Sequence, residues 1–443
     1  MTGLSILDAG AAMRAGTLTA TALTKAHLDR IEALNPQIRA FVAVTADQAL
    51  AAAARADADF AAGIDHGPMQ GIGFAVKDLM DMQGLPTLCG SRHQPLTPAP
   101  QDATVVARLR AQGAVPLGKV ATYEYALVGP SFDGPNPSAA NPWNTDHITG
   151  GSSSGSAAAV AAGMVRCAIG TDTGGSVRSP ACYCGVVGLK TTFDALPRDG
   201  VFPLSADLDH VGPIAACVAD AAVMAEAMGV AATARLGQDV RGLTIGYARD
   251  WFAGDPATLP AVLTAMDQAM SDLSMLGARV ELITLPDYAA LEALGIVLLQ
   301  YQALELHRDT LHSGSYGRQA VETLLSGQHI TPAEFAEARA GAQRYRTEFA
   351  AILACHDAVA TANVLSTAPP FSDFAADRAV WTAMRTLPFN VTGHPVLALP
   401  IGFDHGLPMG MQLVGRDHHE ARLAQIGHAY ERATDHSALR PRL

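Results

Sequence analysis

Charged residues are scarce in this 443-residue chain. They make up 16% of it, against a norm of about 25% in globular proteins, while hydrophobic residues make up 49%. A chain this apolar is expected to bury a large core, which excludes an intrinsically disordered protein or a coiled coil. The 30 Lys and Arg against 42 Asp and Glu leave a net charge of −12, and no basic cluster stands out. We therefore expect no nucleic-acid partner, because binding to phosphates requires clustered cations.

Cysteine is also scarce, with six residues in the whole chain. They do not make a disulfide framework, and Cys182 and Cys184 are one residue apart where a zinc motif needs two or more. We expect buried free thiols, no metal and no cofactor. The N-terminus lacks a basic segment followed by an apolar one, and the most apolar stretch, residues 155–170, is too short to span a bilayer. The sequence thus predicts a cytoplasmic protein without a membrane partner.

Helix-like and strand-like segments alternate along the chain. Residues 1–65 show helical apolar spacing, residues 73–77 have the pattern of a short buried strand, and the alternation resumes after residue 242. Such alternation predicts an α/β fold whose sheet is largely buried. Because no repeat or linker divides the chain, we expect a single domain over residues 1–443.

Local signals give three further predictions. Asp102 is expected to cap a helix that runs through Gln112, and Thr331 with Glu334 forms a capping box that marks a helix start. Residues 122–149, rich in Pro, Asn and Gly, are expected to form a long ordered loop. Loops of this length inside compact domains usually carry function.

Two runs of small polar residues stand out in the middle of the chain. They are Gly150–Ser156 and Gly170–Pro180, and an apolar segment follows each. Glycine and serine in series leave backbone N–H groups open to an anion or a developing oxyanion. Residues 151–155 fit the G-x-S-x-G nucleophile elbow, but a loop precedes them where the elbow needs a strand. Neither run has the Gly-Lys-Ser/Thr of a phosphate-binding loop.

Six segments between residues 75 and 415 carry a specific combination of motifs. They are Ala75–Asp78, Gly150–Gly163, Gly170–Ala181, Cys184–Lys190, Leu208–Pro213 and Pro408–Gly415. In combination they resemble the amidase signature family of serine hydrolases. The resemblance implies a large mixed β-sheet covered on both faces by α-helices. It also implies a signature core at about residues 70–215 and a variable substrate-pocket region at about residues 285–385.

That family uses a Ser–cis-Ser–Lys triad, and its motifs map onto this chain position by position. The resemblance implies Ser176 as the nucleophile, Lys77 as the base, and Ser152, joined to Gly151 by a cis peptide bond, as the bridging residue. Two neighbours compete for the bridging role: Ser153 and Ser154. The chemistry of the residues agrees, because a lysine at the end of an apolar run loses its proton more easily and can activate a serine.

The same motifs imply groups that support the triad. Backbone N–H groups would form an oxyanion hole at Thr173, Gly174, Gly175 and Ser176. Losing one such donor typically raises the barrier by ~3 kcal/mol. Four residues would support the site around them: Gly151, Ser153, Asp172 and Arg178. In the family such an arginine braces the two glycine-serine loops, which is expected here through Asp172.

The substrate is less well specified by the sequence. The loop Tyr123–Phe132 departs from the tRNA-amidotransferase pattern of the family, and no basic surface for tRNA is evident, which favours a stand-alone hydrolase. We expect Tyr125 and Phe132 to line the substrate pocket, together with a helical region near residues 310–385 that contains Trp381.

We therefore expect hydrolysis of the C–N bond of a small-to-medium apolar or aryl amide, or of a carbamate (urethane), by one triad. Further alternatives are a biuret- or allophanate-type amidohydrolase and an amidotransferase A-type subunit. A catalytically silent homologue would lack turnover, although the intact triad residues count against it. A Ser-His-Asp esterase would need His147 or His210 as its base. The expected partner is a small-molecule amide or carbamate, and a homodimer is left open.

Overall fold

The computed structural model describes residues 1–374 and 379–443. Its α-helices, in chain order, are Ile6–Arg14 (α1), Ala20–Ile38 (α2), Ala46–Ala61 (α3), Thr104–Ala111 (α4), Ser154–Ala161 (α5), Arg178–Cys184 (α6), Val218–Met228 (α7), Asp250–Ala253 (α8), Pro260–Met275 (α9), Tyr288–His307 (α10), Arg318–Leu325 (α11), Pro332–Ala354 (α12), Pro388–Val391 (α13) and Glu420–Ala433 (α14). Its β-strands are Phe41–Val44 (β1), Gly73–Lys77 (β2), Val115–Val120 (β3), Ala140–Asn141 (β4), Asn144–Ile148 (β5), Cys167–Asp172 (β6), Val187–Lys190 (β7), His210–Ala215 (β8), Thr244–Tyr247 (β9), Arg279–Leu282 (β10), Ala358–Ala362 (β11), Val396–Asp404 (β12) and Leu407–Val414 (β13).

One large sheet organises the described part of the chain. Eleven strands form it, in the order β1-β3-β2-β6-β8-β7-β12-β13-β11-β9-β10. The pairs β2–β3, β2–β6, β9–β10 and β9–β11 are parallel and the others are antiparallel. The prediction of an α/β fold with a mixed sheet flanked by helices is therefore confirmed. Since strands from both halves of the chain join one sheet, we keep the proposal of a single domain.

The central strands are buried along their whole length because both faces of the sheet are covered. Every residue of β2, β3, β6, β7 and β8 is buried, as expected for strands inside an α/β protein. Lys77 ends β2 and Asp172 ends β6, and these two strands are parallel neighbours. Their carboxyl ends meet at one edge of the sheet, which brings a lysine and the second glycine-rich run together.

Several local predictions are confirmed. Thr331 and Glu334 make the reciprocal hydrogen bonds of a capping box at the start of α12. Residues 73–77 form a buried strand. Four of the six cysteines are buried and all six are free, whereas Cys355 is exposed.

Two local predictions are wrong or incomplete. Asp102 does not cap α4, because its carboxylate accepts a hydrogen bond from the Gln83 N–H (2.8 Å) and pairs with Arg110 (3.0 Å). The predicted loop at residues 122–149 contains a two-stranded sheet formed by β4 and β5. The short strand β1, between two helices, was not predicted either.

The apolar stretch at residues 155–170 forms α5 and β6 inside the fold. Within the described residues, α10 is the helix that length and composition would allow to cross a membrane. Core helices of soluble proteins pass the same criterion, and α10 packs against α11, α12 and α13.

Gly155 allows α5 to lie close to the chain that follows β3. A Cβ atom there would lie 2.3 Å from the Ala121 nitrogen and 2.4 Å from the Ala40 oxygen. We expect Gly155→Ala to lower the free energy of unfolding by about 1–3 kcal/mol, because backbone atoms must move. The matched control is Gly254→Ala, since Gly254 has a φ of −93° and no neighbour within 4 Å of a new Cβ. Urea denaturation of both variants tests this, and equal losses would contradict it.

Candidate active site

Lys77 is fully buried at the end of β2, and its amine contacts two hydroxyl groups. Nζ donates to Ser152 Oγ at 2.8 Å and to Thr171 Oγ1 at 2.7 Å. Lys77 makes no ion pair with any described residue. Burial lowers the pKa of Lys77 to about 7, although the charges of Asp172 and Asp209 oppose the shift. A lysine in this state can accept a proton near neutral pH.

The serine run provides a single partner for this lysine. The Ser153 hydroxyl donates to the Thr171 carbonyl oxygen at 3.1 Å, and the Ser154 hydroxyl donates to the Ala121 carbonyl oxygen at 3.3 Å. Of the three candidates for the bridging position, only Ser152 therefore reaches Lys77. The peptide bond between Gly151 and Ser152 is cis.

Ser176 and Ser152 line the same cavity, which is open to solvent and has about 520 Å³ of empty space. The Ser153 N–H donates to the Ser176 carbonyl oxygen at 3.3 Å, which ties the two serine-containing loops together. The geometry thus brings Ser152 and Ser176 to one cavity, and Lys77 contacts Ser152 from within the protein. Apolar side chains form most of the rest of the cavity wall: Leu127, Val128, Leu204, Leu299, Trp381 and Met384. None of the described lining residues carries a charged side chain.

The two predicted pocket residues do not line this cavity. Tyr125 is buried and packs against the rings of Phe202 and His307, with centroids 5.1 and 4.4 Å away. Phe132 is 47% exposed and lies near Phe371.

The predicted loop and Trp381 do contribute to the cavity, although Trp381 lies in irregular chain rather than in a helix. Leu204 and Leu299 come from distant parts of the chain and were not predicted.

The carboxylate of Asp172 organises the second glycine-rich run. It accepts hydrogen bonds from the N–H groups of Gly175 (2.8 Å) and Val177 (3.1 Å) and from the Arg178 guanidinium (2.8 and 2.9 Å). Asn390 donates to it as well, at 2.8 Å. Burial alone would raise the pKa of Asp172, but the Arg178 charge and these donors hold it well below its usual range. The ion pair is fully buried.

Arg178 also connects this loop to the C-terminal half of the chain. Its guanidinium donates to the Thr386 carbonyl oxygen (2.9 Å), to Asn390 Oδ1 (2.6 Å) and to Gln412 Oε1 (3.1 Å). Through Asp172, Arg178 thus holds the second glycine-rich run, whereas its hydrogen bonds to described residues do not reach residues 150–156, so the bracing of both runs stays a prediction.

The structure changes one part of the expected oxyanion hole. The Gly175 N–H already donates to Asp172, so it cannot also face a substrate oxygen. Three donors of the expected set remain as candidates: the N–H groups of Thr173, Gly174 and Ser176. Gly175 instead shapes the turn, since its φ is +135° and a Cβ atom would lie 2.3 Å from Thr386 Oγ1.

The histidines of the esterase alternative lie elsewhere. His147 Nδ1 bonds to the Ala368 carbonyl oxygen at 2.7 Å, and His210 Nδ1 bonds to the Leu208 carbonyl oxygen at 2.6 Å. Neither is hydrogen-bonded to Ser152 or Ser176. In residues 1–374 and 379–443, no group of three or more His, Cys, Asp or Glu side chains is placed to hold a metal ion.

A model of the amidase family matches residues 22–424. The chain belongs to the amidase family. It is 36% identical to the A-type subunit of the glutamyl-tRNA(Gln) amidotransferase of Chloroflexus aurantiacus, over 99% of this chain and 98% of that protein.

Two solved structures are also similar to it. A protein from an inhibitor-bound vestigial complex, linked to the evolutionary origins of an s-triazine catabolic enzyme, has a TM-score of 0.91 at 30% identity, over 97% of this chain and 98% of that one. The native peptide amidase of Stenotrophomonas maltophilia has a TM-score of 0.82 at 30% identity, over 98% and 97% of the two chains. This amidase-family chain is accordingly an enzyme that acts on C–N bonds.

Replacing Arg178 should be far more destabilising than replacing a surface arginine. Arg178→Met leaves the buried Asp172 charge without its cation, which should lower the free energy of unfolding by about 3–5 kcal/mol. Arg198→Met is the control, because its partner Asp194 is 60% exposed and such pairs contribute at most about 1 kcal/mol. Urea denaturation of both variants measures the difference. A loss below about 1 kcal/mol for Arg178→Met would contradict the assigned role of the ion pair.

Proposed function

We propose that this protein hydrolyses a small-to-medium amide with an apolar or aryl acyl group through an acyl-enzyme on Ser176. The observation that carries the proposal is the contact of the buried Lys77 amine with Ser152 Oγ at 2.8 Å, at the wall of a cavity that Ser176 shares. A neutral lysine amine is the base that a serine hydroxyl needs to become a nucleophile.

In the proposed reaction, Ser176 Oγ attacks the amide carbonyl carbon while its proton passes through Ser152 to Lys77. The N–H groups of Thr173, Gly174 and Ser176 are proposed to stabilise the negative charge that develops on the carbonyl oxygen. Collapse of the tetrahedral intermediate breaks the C–N bond, and the proton returns through Ser152 to the leaving nitrogen. Water then hydrolyses the ester on Ser176 with the same groups acting as base and acid.

The proposed substrate class follows from the cavity lining. A charged group beside Ser176 would lose its hydration without gaining a counter-charge from the described residues, which favours an uncharged substrate. An alkyl or aryl carbamate satisfies the same condition, so urethane hydrolysis is the second candidate. A biuret-type substrate is small and polar and would leave the apolar wall unused.

An amidotransferase role remains a further candidate because curated relatives bear that name over nearly the full chain. A glutamine donor carries an ammonium and a carboxylate on its α-carbon, and the described cavity residues provide no charged partner for either. The cavity therefore supports the hydrolase more than the amidotransferase. A cytoplasmic location, the absence of nucleic acid and membrane partners, and a homodimer stay predictions.

The first experiment measures amine release from a matched set of substrates. It comprises a short acyl 4-nitroanilide, a benzoyl-type 4-nitroanilide and the ethyl carbamate of 4-nitroaniline, with ammonia release from glutamine assayed alongside. We expect turnover of the anilides and a loss on the order of 10⁴-fold or more in Ser176→Ala. Ser154→Ala is the matched control, because it removes a neighbouring buried hydroxyl that does not reach Lys77, and it should keep most activity.

Each other outcome points to a different function. Preferred turnover of the carbamate would replace the amidase proposal by a urethane hydrolase. Ammonia release from glutamine without anilide turnover would favour the amidotransferase role. Anilide turnover that survives in Ser176→Ala would remove the nucleophile assignment.

The activity should depend on pH through Lys77. The pKa of this amine is lowered to about 7, so the ammonium form dominates below that pH and cannot accept a proton. We expect kcat/KM to fall about tenfold per pH unit below 7 and to level off above it. Rates measured from pH 5 to 9 on the best anilide test this, and a rate that stays level down to pH 5 would contradict Lys77 as the base.

A further inference from the structure

The Asp209 side chain joins the glycine-rich loop to the cavity wall. Its carboxylate accepts a hydrogen bond from Thr173 Oγ1 at 2.7 Å, and from the N–H groups of Leu204 (2.8 Å) and Ser205 (3.0 Å). Thr173 begins the loop that leads to Ser176, and Leu204 lines the cavity. One buried carboxylate thus fixes two parts of the proposed site.

Asp209 has no cation of its own. Asp172 is paired with Arg178, whereas Asp209 makes no ion pair with any residue in the described ranges. Arg198 contributes only a distant charge, and its guanidinium is bonded to Asp194 and to the Ala206 carbonyl oxygen. Burial raises the pKa of Asp209, while its three hydrogen-bond donors favour the charged carboxylate.

This unpaired carboxylate is connected to the surroundings of Lys77 through two threonines of one segment. Thr171 lies near the end of β6, and Thr173 directly follows that strand. Thr171 Oγ1 accepts from Lys77 Nζ, and Thr173 Oγ1 donates to Asp209. A second cavity, with about 1090 Å³ of empty space, is lined by Thr171, Thr173 and Asp209 together. The Lys77 amine and the Asp209 carboxylate are thus each hydrogen-bonded to a threonine of the same segment, and both threonines line this cavity.

We propose that Asp209 is a positioning residue that holds Thr173 and the glycine-rich loop in place and whose negative charge favours the ammonium form of Lys77. The proposal rests on the proposed role of Lys77 as the base. Of the other groups around Lys77, Asp172 also raises its pKa but is paired with Arg178, Cys89 is a buried thiol, and Asp78 is paired with Lys119. Asp209 is the nearby carboxylate whose charge no arginine or lysine in the described ranges pairs.

The test measures covalent labelling of Ser176, so it does not require that the substrate is known. An alkyl fluorophosphonate reacts with a serine hydroxyl that a base has activated, with loss of fluoride and formation of a phosphonate ester. The rate of labelling is measured from pH 5 to 9 in the full-length protein. Labelling that persists in Ser176→Ala would refute the proposed function, whatever Asp209 does.

Asp209→Asn is the decisive variant. An asparagine Oδ1 can still accept from the Leu204 and Ser205 N–H groups, but the negative charge is gone. The acid limb of the labelling profile is the part in which the rate falls as the pH is lowered. Because the Lys77 ammonium is less stabilised in this variant, the acid limb should move to lower pH by about half a unit or more. Asp199→Asn is the matched control, since Asp199 lines the same second cavity but is exposed, and its limb should stay in place.

Thr173→Val tests the positioning role separately, and it does so whether or not Asp209→Asn folds. It removes the hydroxyl that Asp209 holds but keeps the charge. On the best substrate we expect kcat to fall at least tenfold with KM changed much less, the acid limb unmoved, and Thr173→Ser to restore the rate.

An acid limb that stays in place in a folded Asp209→Asn protein would overturn the electrostatic role. A wild-type kcat in Thr173→Val would overturn the positioning role. Thermal unfolding midpoints of all variants establish which proteins are folded.

Discussion

The active-site region depends on a lysine amine kept away from water without a carboxylate beside it. Lys77 Nζ has two hydroxyl groups as neighbours, Ser152 Oγ and Thr171 Oγ1, and no ion pair with a described residue. Hydroxyl groups satisfy the N–H donors of an amine but compensate little of the hydration that an ammonium loses on burial. The position is therefore tolerable mainly because the amine can be neutral, and that neutral form is what a general base requires. Burial of the Lys77 amine is thus the physical cause of its proposed role as a general base.

No carboxylate among the described residues forms a salt bridge with Lys77, because the acidic side chains around it bind other groups. Asp172 makes a bidentate contact with Arg178 and accepts from backbone N–H groups of the glycine-rich loop, and it makes no ion pair with Lys77. The loop therefore gains a rigid shape from the same carboxylate that could otherwise have fixed Lys77 as an ammonium. One set of hydrogen bonds thus affects both the shape of the glycine-rich loop and the protonation state of Lys77.

Much of this was predictable from the sequence, and the limits have physical causes. The residues that meet at the site lie in short motifs, so Lys77, Ser152 and Ser176 could be identified from the chain alone. The parallel neighbours β2 and β6 bring these motifs together. The catalytic roles of the three residues stay predictions. The predicted pocket residues Tyr125 and Phe132 lie outside the cavity lining, and at Tyr125 the backbone has an unusual φ of 50°. Non-glycine residues rarely adopt a positive φ, and the residue type at this position does not predict one. Leu204 and Leu299 reach the cavity through tertiary packing, which no local pattern encodes.

The network around Arg178 also has a consequence for how the protein is made. Its partners Thr386, Asn390 and Gln412 are 208, 212 and 234 residues further along the chain. During synthesis, which proceeds from the N-terminus, the Asp172–Arg178 pair emerges from the ribosome long before the groups that complete its shell. In the nascent signature region this charge pair therefore still lacks three of the partners that surround it in the complete fold. Completion of the active site becomes a late event in biosynthesis, coupled to the arrival of nearly the whole polypeptide.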